Sequence, residues 1–174
     1  INKKVAEVTL AEIKQINYTQ HNKMGTILTL AECLALIPTT ICLNIELKSN
    51  SVYNLQTFAK HVHQEIRKYP QLSIILSSFN WLVLQKLRRL NQNLIIAILI
   101  GAKIPLIRVI ISVLRINPQA VHISKWLLTS STSIQQQLDK LALPIRVYTI
   151  NSLDDYAQIE RYNVVGVFSN ILLK

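Results

Sequence analysis

Cys42-Leu43-Asn44-Ile45-Glu46-Leu47-Lys48 is an apolar run that closes on two opposite charges two residues apart. Side chains alternate along a strand, so Leu43, Ile45 and Leu47 share one face while Asn44, Glu46 and Lys48 share the other. Such a strand is expected in a parallel sheet covered by helices. There, ligands are met at the carboxyl ends of the strands, because the earlier residues are walled in. A carboxylate at that place suits a metal ion, and an ammonium suits a phosphate oxygen. The plainer alternative is a structural ion pair between Glu46 and Lys48, a common use of such residues.

Downstream of this strand, Ser49-Asn50-Ser51 breaks the chain into a long amphipathic helix over 52–68, with Val52, Leu55, Phe58, Ala59, Val62 and Ile66 on its apolar line. The pattern then becomes regular. Strands are predicted over 72–79, 93–100, 120–124, 145–150 and 164–169, and helices over 80–90, 105–114, 129–141 and 152–162. The basic residues of the helix that Asn80 caps are expected on its far, solvated side. Upstream, Thr9 with Glu12 and Thr29 with Glu32 each form a capping-box signature that opens a short helix, and the second helix ends at Pro38. A polar loop is expected over 17–25.

Strand and helix therefore alternate at a spacing of roughly 20 to 30 residues, the signature of βαβ units and a parallel sheet. With three glycines in the chain, neither a dinucleotide fingerprint nor a P-loop is present. That removes the two commonest nucleotide readings of a doubly wound sheet and leaves an α/β barrel of the (β/α)8 TIM type, or part of one, with chemistry spread over several strand ends. At 174 residues and 50% hydrophobic, the chain is one domain, residues 1–174, with a real core.

The formal charge of +10 raises nucleic acid or a membrane surface as partners. The positive residues are scattered, and the small clusters Arg67-Lys68 and Lys86-Arg88-Arg89 are not interleaved with aromatics, so no nucleic-acid partner is expected. The most apolar region, 93–114, is broken by Lys103, Pro105 and Arg108, which argues against a membrane span. No targeting segment can be read before Ile1. Cys33 and Cys42 stand in apolar context and fit reduced, buried thiols, so a cytoplasmic location is expected.

The later strand ends carry further polar groups. His122 and Ser124 share a face opposite Val121 and Ile123, and Arg146 and Tyr148 share a face opposite Ile145, Val147 and Thr149. Both faces would point into a barrel. His122 reads either as a site residue or as a satisfied core histidine, and Tyr148 either as a site residue or as a core tyrosine bonded locally. His21, His61 and His63 are expected to be solvated.

The motifs Thr9-Leu10-Ala11-Glu12, Thr29-Leu30-Ala31-Glu32, Leu43-Asn44-Ile45-Glu46-Leu47-Lys48, Ser77-Ser78-Phe79, Arg146-Val147-Tyr148-Thr149-Ile150-Asn151 and Gly166-Val167-Phe168-Ser169-Asn170 follow, in order and spacing, those of the glycerophosphodiester phosphodiesterases. The chain resembles that family over its whole length. The resemblance implies a barrel that hydrolyses glycerophosphodiesters to an alcohol and glycerol 3-phosphate with a divalent metal, calcium or magnesium. It further implies Glu46 as a metal ligand and Lys48 as the phosphate-binding residue; if these are parts of a phosphate site, the strand faces place His122 and Tyr148 across the same opening as substrate-binding residues. The family's His-Arg-Gly segment, its Glu-x-Asp pair and a further histidine have no counterpart here, which predicts six of the eight βα units and no activity for this chain alone. Ser169-Asn170 also stands where the family usually has Thr-Asp. The alternative is a non-catalytic open barrel that binds a head group or a protein partner. Its exposed edge strands would invite self-association.

Overall fold

The computed structural model describes residues 4–20, 23–49, 54–101 and 106–172. After a 3-10 turn at Val5–Glu7, helix α1 (Leu10–Lys14) and helix α2 (Leu30–Leu36) both begin as expected. Thr9 and Thr29 accept from the backbone N–H of Glu12 and Glu32, and the glutamates reach back to the cap residues. Lys14 ties the two by pairing with Glu32 and donating to the Ile27 carbonyl at 3.0 Å.

Between them, the expected polar loop is instead an antiparallel hairpin, β1 (Asn17–Gln20) with β2 (Lys23–Thr26). Its physical basis is a cross-strand pair: Tyr18 lies opposite Gly25, and a Cβ at residue 25 would stand 2.9 Å from the tyrosine ring. The glycine leaves its face open, and the aromatic ring covers it.

The main sheet holds six parallel strands in sequential order: β3 (Cys42–Glu46), β4 (Ser73–Ser78), β5 (Ile95–Ile100), β6 (Ala120–Ser124), β7 (Ile145–Tyr148) and β8 (Val164–Phe168). The connections are α3 (Leu55–Ile66), α4 (Trp81–Leu90), α5 (Leu106–Ile116), α6 (Lys125–Ser130) with α7 (Thr132–Leu141), and α8 (Leu153–Ala157). Sequential order without a reversal point is the topology of a barrel rather than of a doubly wound sheet. The sheet curves as part of one: Asn44 and Glu46 on β3 and Phe168 on β8, the two edge strands, line the same cavity.

The pleat divides the strands into two faces. Outward, Leu76, Ile96, Ile98, Val121, Ile123 and Val147 pack against Val62, Leu84, Leu87, Leu127 and Leu138 of the helices in one continuous core. Inward lies a smaller apolar floor of Ile75, Ala97 and Ala120, with the polar residues above it.

Two helices depart from the sequence pattern. The helix expected over 129–141 starts at Thr132 as α7, and an unexpected helix, α6, precedes it, because Ser124 caps α6 at the Leu127 N–H and Ser131, in extended conformation, caps α7 at the Ile134 N–H. The last, expected to reach residue 162, is α8 alone followed by turns. Val52, His21 and Pro105 lie outside the described residues. Of the other histidines expected in solvent, His61 is exposed and His63 half-buried. Cys33 is half-buried and Cys42 exposed, which corrects the expectation of two buried thiols: Cys42 opens an edge strand with no neighbour on one side.

Arg88 is the larger correction. Rather than facing solvent with Arg89, it is 4% exposed. It donates to the carbonyls of Ile116 (2.7 Å), Asn117 (3.0 Å) and Gln92, and to Gln119 Oε1 (3.0 Å). Apart from the Gln92 carbonyl, which follows α4, these acceptors lie around the end of α5, where Asn117 takes a left-handed φ of 48° and the chain turns into β6. A fork of donors satisfies at once several carbonyls that would otherwise be buried without partners. Arg88→Met is therefore expected to destabilise the fold by about 3 kcal/mol, as loss of charged hydrogen bonds to buried acceptors does. Arg89→Met, at an exposed position, should stay within about 0.5 kcal/mol. Chemical denaturation of the two variants checks the contrast.

Candidate active site

The carboxyl ends of β3 and β4 are stitched together by the backbone and by two small polar side chains. Leu47 N–H donates to the Ser77 carbonyl at 2.7 Å, Ser78 Oγ to the Leu47 carbonyl at 2.6 Å, and Asn80 Nδ2 to the Ser49 carbonyl at 3.1 Å. On the other side, Asn151 Oδ1 accepts from Asn170 N–H at 3.0 Å and Ser169 Oγ at 3.4 Å, closing the corner of β7 and β8. Lys125 pairs with Asp155 and so links α6 to α8.

Within this rim is a cavity of about 220 Å³ whose lining includes Asn44, Glu46, Ser77, Phe79, His122 and Tyr148, with Phe168 as a further wall. Glu46, His122 and Tyr148 thus come from three separate strands to one opening. Lys48, two residues past the end of β3, is exposed and is not among the lining residues. Among the described residues the ion pairs are Lys14–Glu32, Glu65–Lys68 and Lys125–Asp155, so Glu46 and Lys48 do not form the structural pair that was the plain alternative. Ser124, on the same face as His122, is used as the cap of α6, and Arg146 is half-buried below Tyr148.

His122 has no exposed surface, and neither ring nitrogen has a hydrogen-bond partner. It packs edge-on against Phe168 at 4.9 Å between ring centres. Burial, helped by the Arg146 charge, lowers its pKa to about 4, so the imidazole is neutral near pH 7. It thus lacks the hydrogen bonds that a satisfied core histidine would make. Tyr148 donates its hydroxyl to the Ile100 carbonyl at 2.9 Å and meets Phe79 edge to face at 6.1 Å. Burial, with the Glu46 carboxylate adding to it, raises the phenol to about 12. That phenol keeps its proton and is no base at neutral pH. Phe79 can stand where it does because residue 101 is glycine: a Cβ there would meet the Phe79 ring at 2.8 Å and the Tyr148 hydroxyl at 3.2 Å.

Asn44 and Ser77 are functional candidates that the sequence reading did not single out. Asn44 Oδ1 and Ser77 Oγ are buried without hydrogen-bond partners, as are the His122 nitrogens, and all face the same cavity. Unmet polar groups are costly inside a protein and concentrate where a ligand or water meets them. The signal for Asn44 was present, since it shares its strand face with Glu46. For Ser77 the signal was its place in the Ser77-Ser78-Phe79 motif.

The donors present can be weighed against a divalent cation. The Glu46 carboxylate and the Asn44 amide oxygen, two residues apart on one face, have the hard-oxygen chemistry that calcium or magnesium selects, two donors where such an ion takes roughly six. Among the described residues no three His, Cys, Asp or Glu side chains group closely enough to hold a metal. The pair fits as part of a ligand set.

Similarity to known proteins follows the same lines. The model of the glycerophosphoryl diester phosphodiesterase family matches residues 1–173. No curated protein matches the chain. Among solved structures, a protein from Silicibacter pomeroyi DSS-3 assigned as a glycerophosphoryl diester phosphodiesterase superposes with a TM-score of 0.79 at 20% identity, covering 96% of this chain and 66% of that one. A glycerophosphodiester phosphodiesterase from Parabacteroides distasonis gives 0.74 at 18%, covering 93% and 66%. An Oleispira antarctica phosphodiesterase in complex with the product sn-glycerol-3-phosphate gives 0.75 at 19%, covering 95% and 68%. The chain thus spans about two thirds of the length of these structures, and at such identities they show the fold. With a six-stranded part-barrel, a polar cavity at its carboxyl end and a family match over nearly every residue, this chain belongs to the glycerophosphoryl diester phosphodiesterase family.

Proposed function

We propose that the cavity is part of a phosphodiester hydrolase site. Water would add to the phosphorus of a glycerophosphodiester, releasing an alcohol and glycerol 3-phosphate. The observation that carries this reading is the convergence of Glu46, His122 and Tyr148 on one opening lined by unpartnered polar atoms. Glu46, with Asn44 beside it, would hold calcium or magnesium, which when bound offsets charge on the phosphoryl oxygens. Lys48 sits beyond the strand on a flexible four-carbon stem, which suits an ammonium that closes over a phosphate from the rim.

His122 and Tyr148 take binding roles. A neutral imidazole offers one donor and one acceptor, and a protonated phenol fixed to the Ile100 carbonyl offers an oxygen lone pair at a set place. Neither is poised near neutral pH, so proton transfer belongs to other groups. No helix among the described residues is long and apolar enough to cross a membrane.

Three outcomes test this reading. The purified chain of residues 1–174, which brings to the cavity one carboxylate and one histidine, is expected to show no metal-dependent hydrolysis of glycerophosphocholine above background. Turnover by that polypeptide with calcium or magnesium would show that the residues in hand suffice. Wherever turnover is measured, in this chain or a longer product of the same gene, Glu46→Gln and Lys48→Met should each lower it by roughly two powers of ten, as loss of one electrostatic contact does, with little change in thermal stability. A non-catalytic binding module would show no turnover in any form.

The third outcome concerns pH. The pKa of His122 falls on folding from 6.5 to about 4, so its contribution to stability is full above about pH 6.5 and is lost as pH falls toward 4, where the unfolded chain binds a proton that the folded one refuses. The expected loss is up to about 3 kcal/mol. His122→Leu should flatten that slope in denaturation measured at pH 7 and pH 5, and an unchanged slope would place the titration elsewhere.

A further inference from the structure

Carboxylates are unevenly placed along this chain. Residues 66–138 hold nine Lys and Arg and no Asp or Glu, so +9 of the net charge of +10 lies between Glu65 and Asp139. The residues outside the described ranges hold no Asp or Glu either, so every carboxylate of the chain is accounted for. The stretch takes in β4, α4, β5, α5, β6 and α6 entire. A field of one sign over so much of the fold attracts a surface of the other.

On α4 and α5 this charge meets exposed aliphatic side chains. Because α4 buries Val83, Leu84, Leu87 and Arg88, it turns Leu82, Lys86 and Arg89 outward. Because α5 buries Val109 and Ile116, it turns Ile111, Leu114 and Arg115 outward, Leu114 with 77% of its surface exposed. The two helices are held in a fixed register: Gln85 and Ser112 line one groove, and Arg88 Nε donates to the Ile116 carbonyl. Arg89 and Arg115, each next to one of those partners, are thereby brought to the same level, and the six outward side chains share one outer face. Lys86, Arg89 and Arg115 have no ion-pair partner among the described residues.

We propose that the outer face of α4 and α5 docks on an anionic lipid surface, with the three cations at the level of the head groups and Leu82, Ile111 and Leu114 entering the boundary beneath them. The mixture of side chains decides among anionic partners. A nucleic-acid backbone gains from the cations and gives nothing to exposed aliphatic groups, and its bases stack on aromatic rings. Trp81, the aromatic residue of these two helices, is half-buried with its N–H committed to the Leu99 carbonyl. An acidic protein would have to match the ridges of two helices, whereas fluid lipid conforms to them. Cations beside aliphatic groups suit the membrane boundary, where anionic head groups lie over acyl chains. No helix among the described residues is long and apolar enough to cross a membrane, so the contact is made from one side. The inference stands apart from the hydrolase reading, because none of the six residues lines the cavity of Glu46 and His122.

The test is sedimentation of the purified chain with vesicles of phosphatidylcholine alone and of an equal mixture with phosphatidylglycerol. Binding is expected to the anionic vesicles and not to the neutral ones, and is expected to fall steeply in about 1 M salt, where screening acts within roughly 3 Å. Arg89→Gln combined with Arg115→Gln should weaken it about 25-fold, since each cation near such a surface is worth roughly fivefold. Lys4→Gln combined with Arg161→Gln removes the same charge from exposed positions off this face and should change binding less than about twofold. Leu114→Ser should weaken it about tenfold, near the lower end of what full burial of a leucine gives. All these residues are exposed, and unchanged melting temperatures verify folding. No binding to the anionic vesicles, equal binding to both kinds, or an equal loss in the two double variants overturns the assignment. So does a DNA duplex that competes with the vesicles and binds Leu114→Ser as well as the parent chain, which would make the face a nucleic-acid surface.

Discussion

Six parallel strands with helices on one side must bury their outward face completely, and everything functional here depends on that constraint. Leu76, Ile96, Ile98, Val121, Ile123 and Val147 are all buried on that side, packed against the aliphatic stripes of α3 to α7. Each buried side chain of this size is worth roughly 1.5 to 3 kcal/mol, which lets the opposite face carry groups that do nothing for stability. Because the pleat alternates, a residue's face follows from its parity along the strand.

The inner face is where that surplus is used. Ile75, Ala97 and Ala120 close the floor, and above them Asn44, Ser77 and His122 present buried polar atoms without partners. A buried histidine whose two ring nitrogens have no hydrogen-bond partner is hard to explain as core packing, since an apolar residue of similar size would cost less. Such expense is ordinary at sites evolved for a ligand. The same logic explains why Tyr148 is fixed to a backbone carbonyl: the hydroxyl needs a partner in the protein to hold its place.

The rim is rigid for a different reason. Ser78, Asn80 and Asn151 spend their side chains on the backbone of neighbouring strand ends and Ser169 bonds the Asn151 side chain, which holds the corners without bulky packing and leaves the mouth open. Glycine at position 101 lets Phe79 close against Tyr148, and the two rings form one wall of the polar cavity.

Much of this was legible in the sequence. Apolar composition located the six strands, the period of two assigned Glu46, His122 and Tyr148 to the inner face, and the threonine caps marked two helix starts, because these signals depend only on neighbours a few residues away. What only the tertiary structure decided involves partners far along the chain. Arg88 looked like one more surface cation, and its burial depends on carbonyls about thirty residues later that no local pattern reveals. The pairing of β1 with β2 depends on Tyr18 meeting Gly25 across the strands, and the start of α7 at Thr132, with α6 before it, on which serine found a free N–H. Lys48 shares its parity with Glu46, yet the strand ends at Glu46, and past that point alternation no longer governs where a side chain goes.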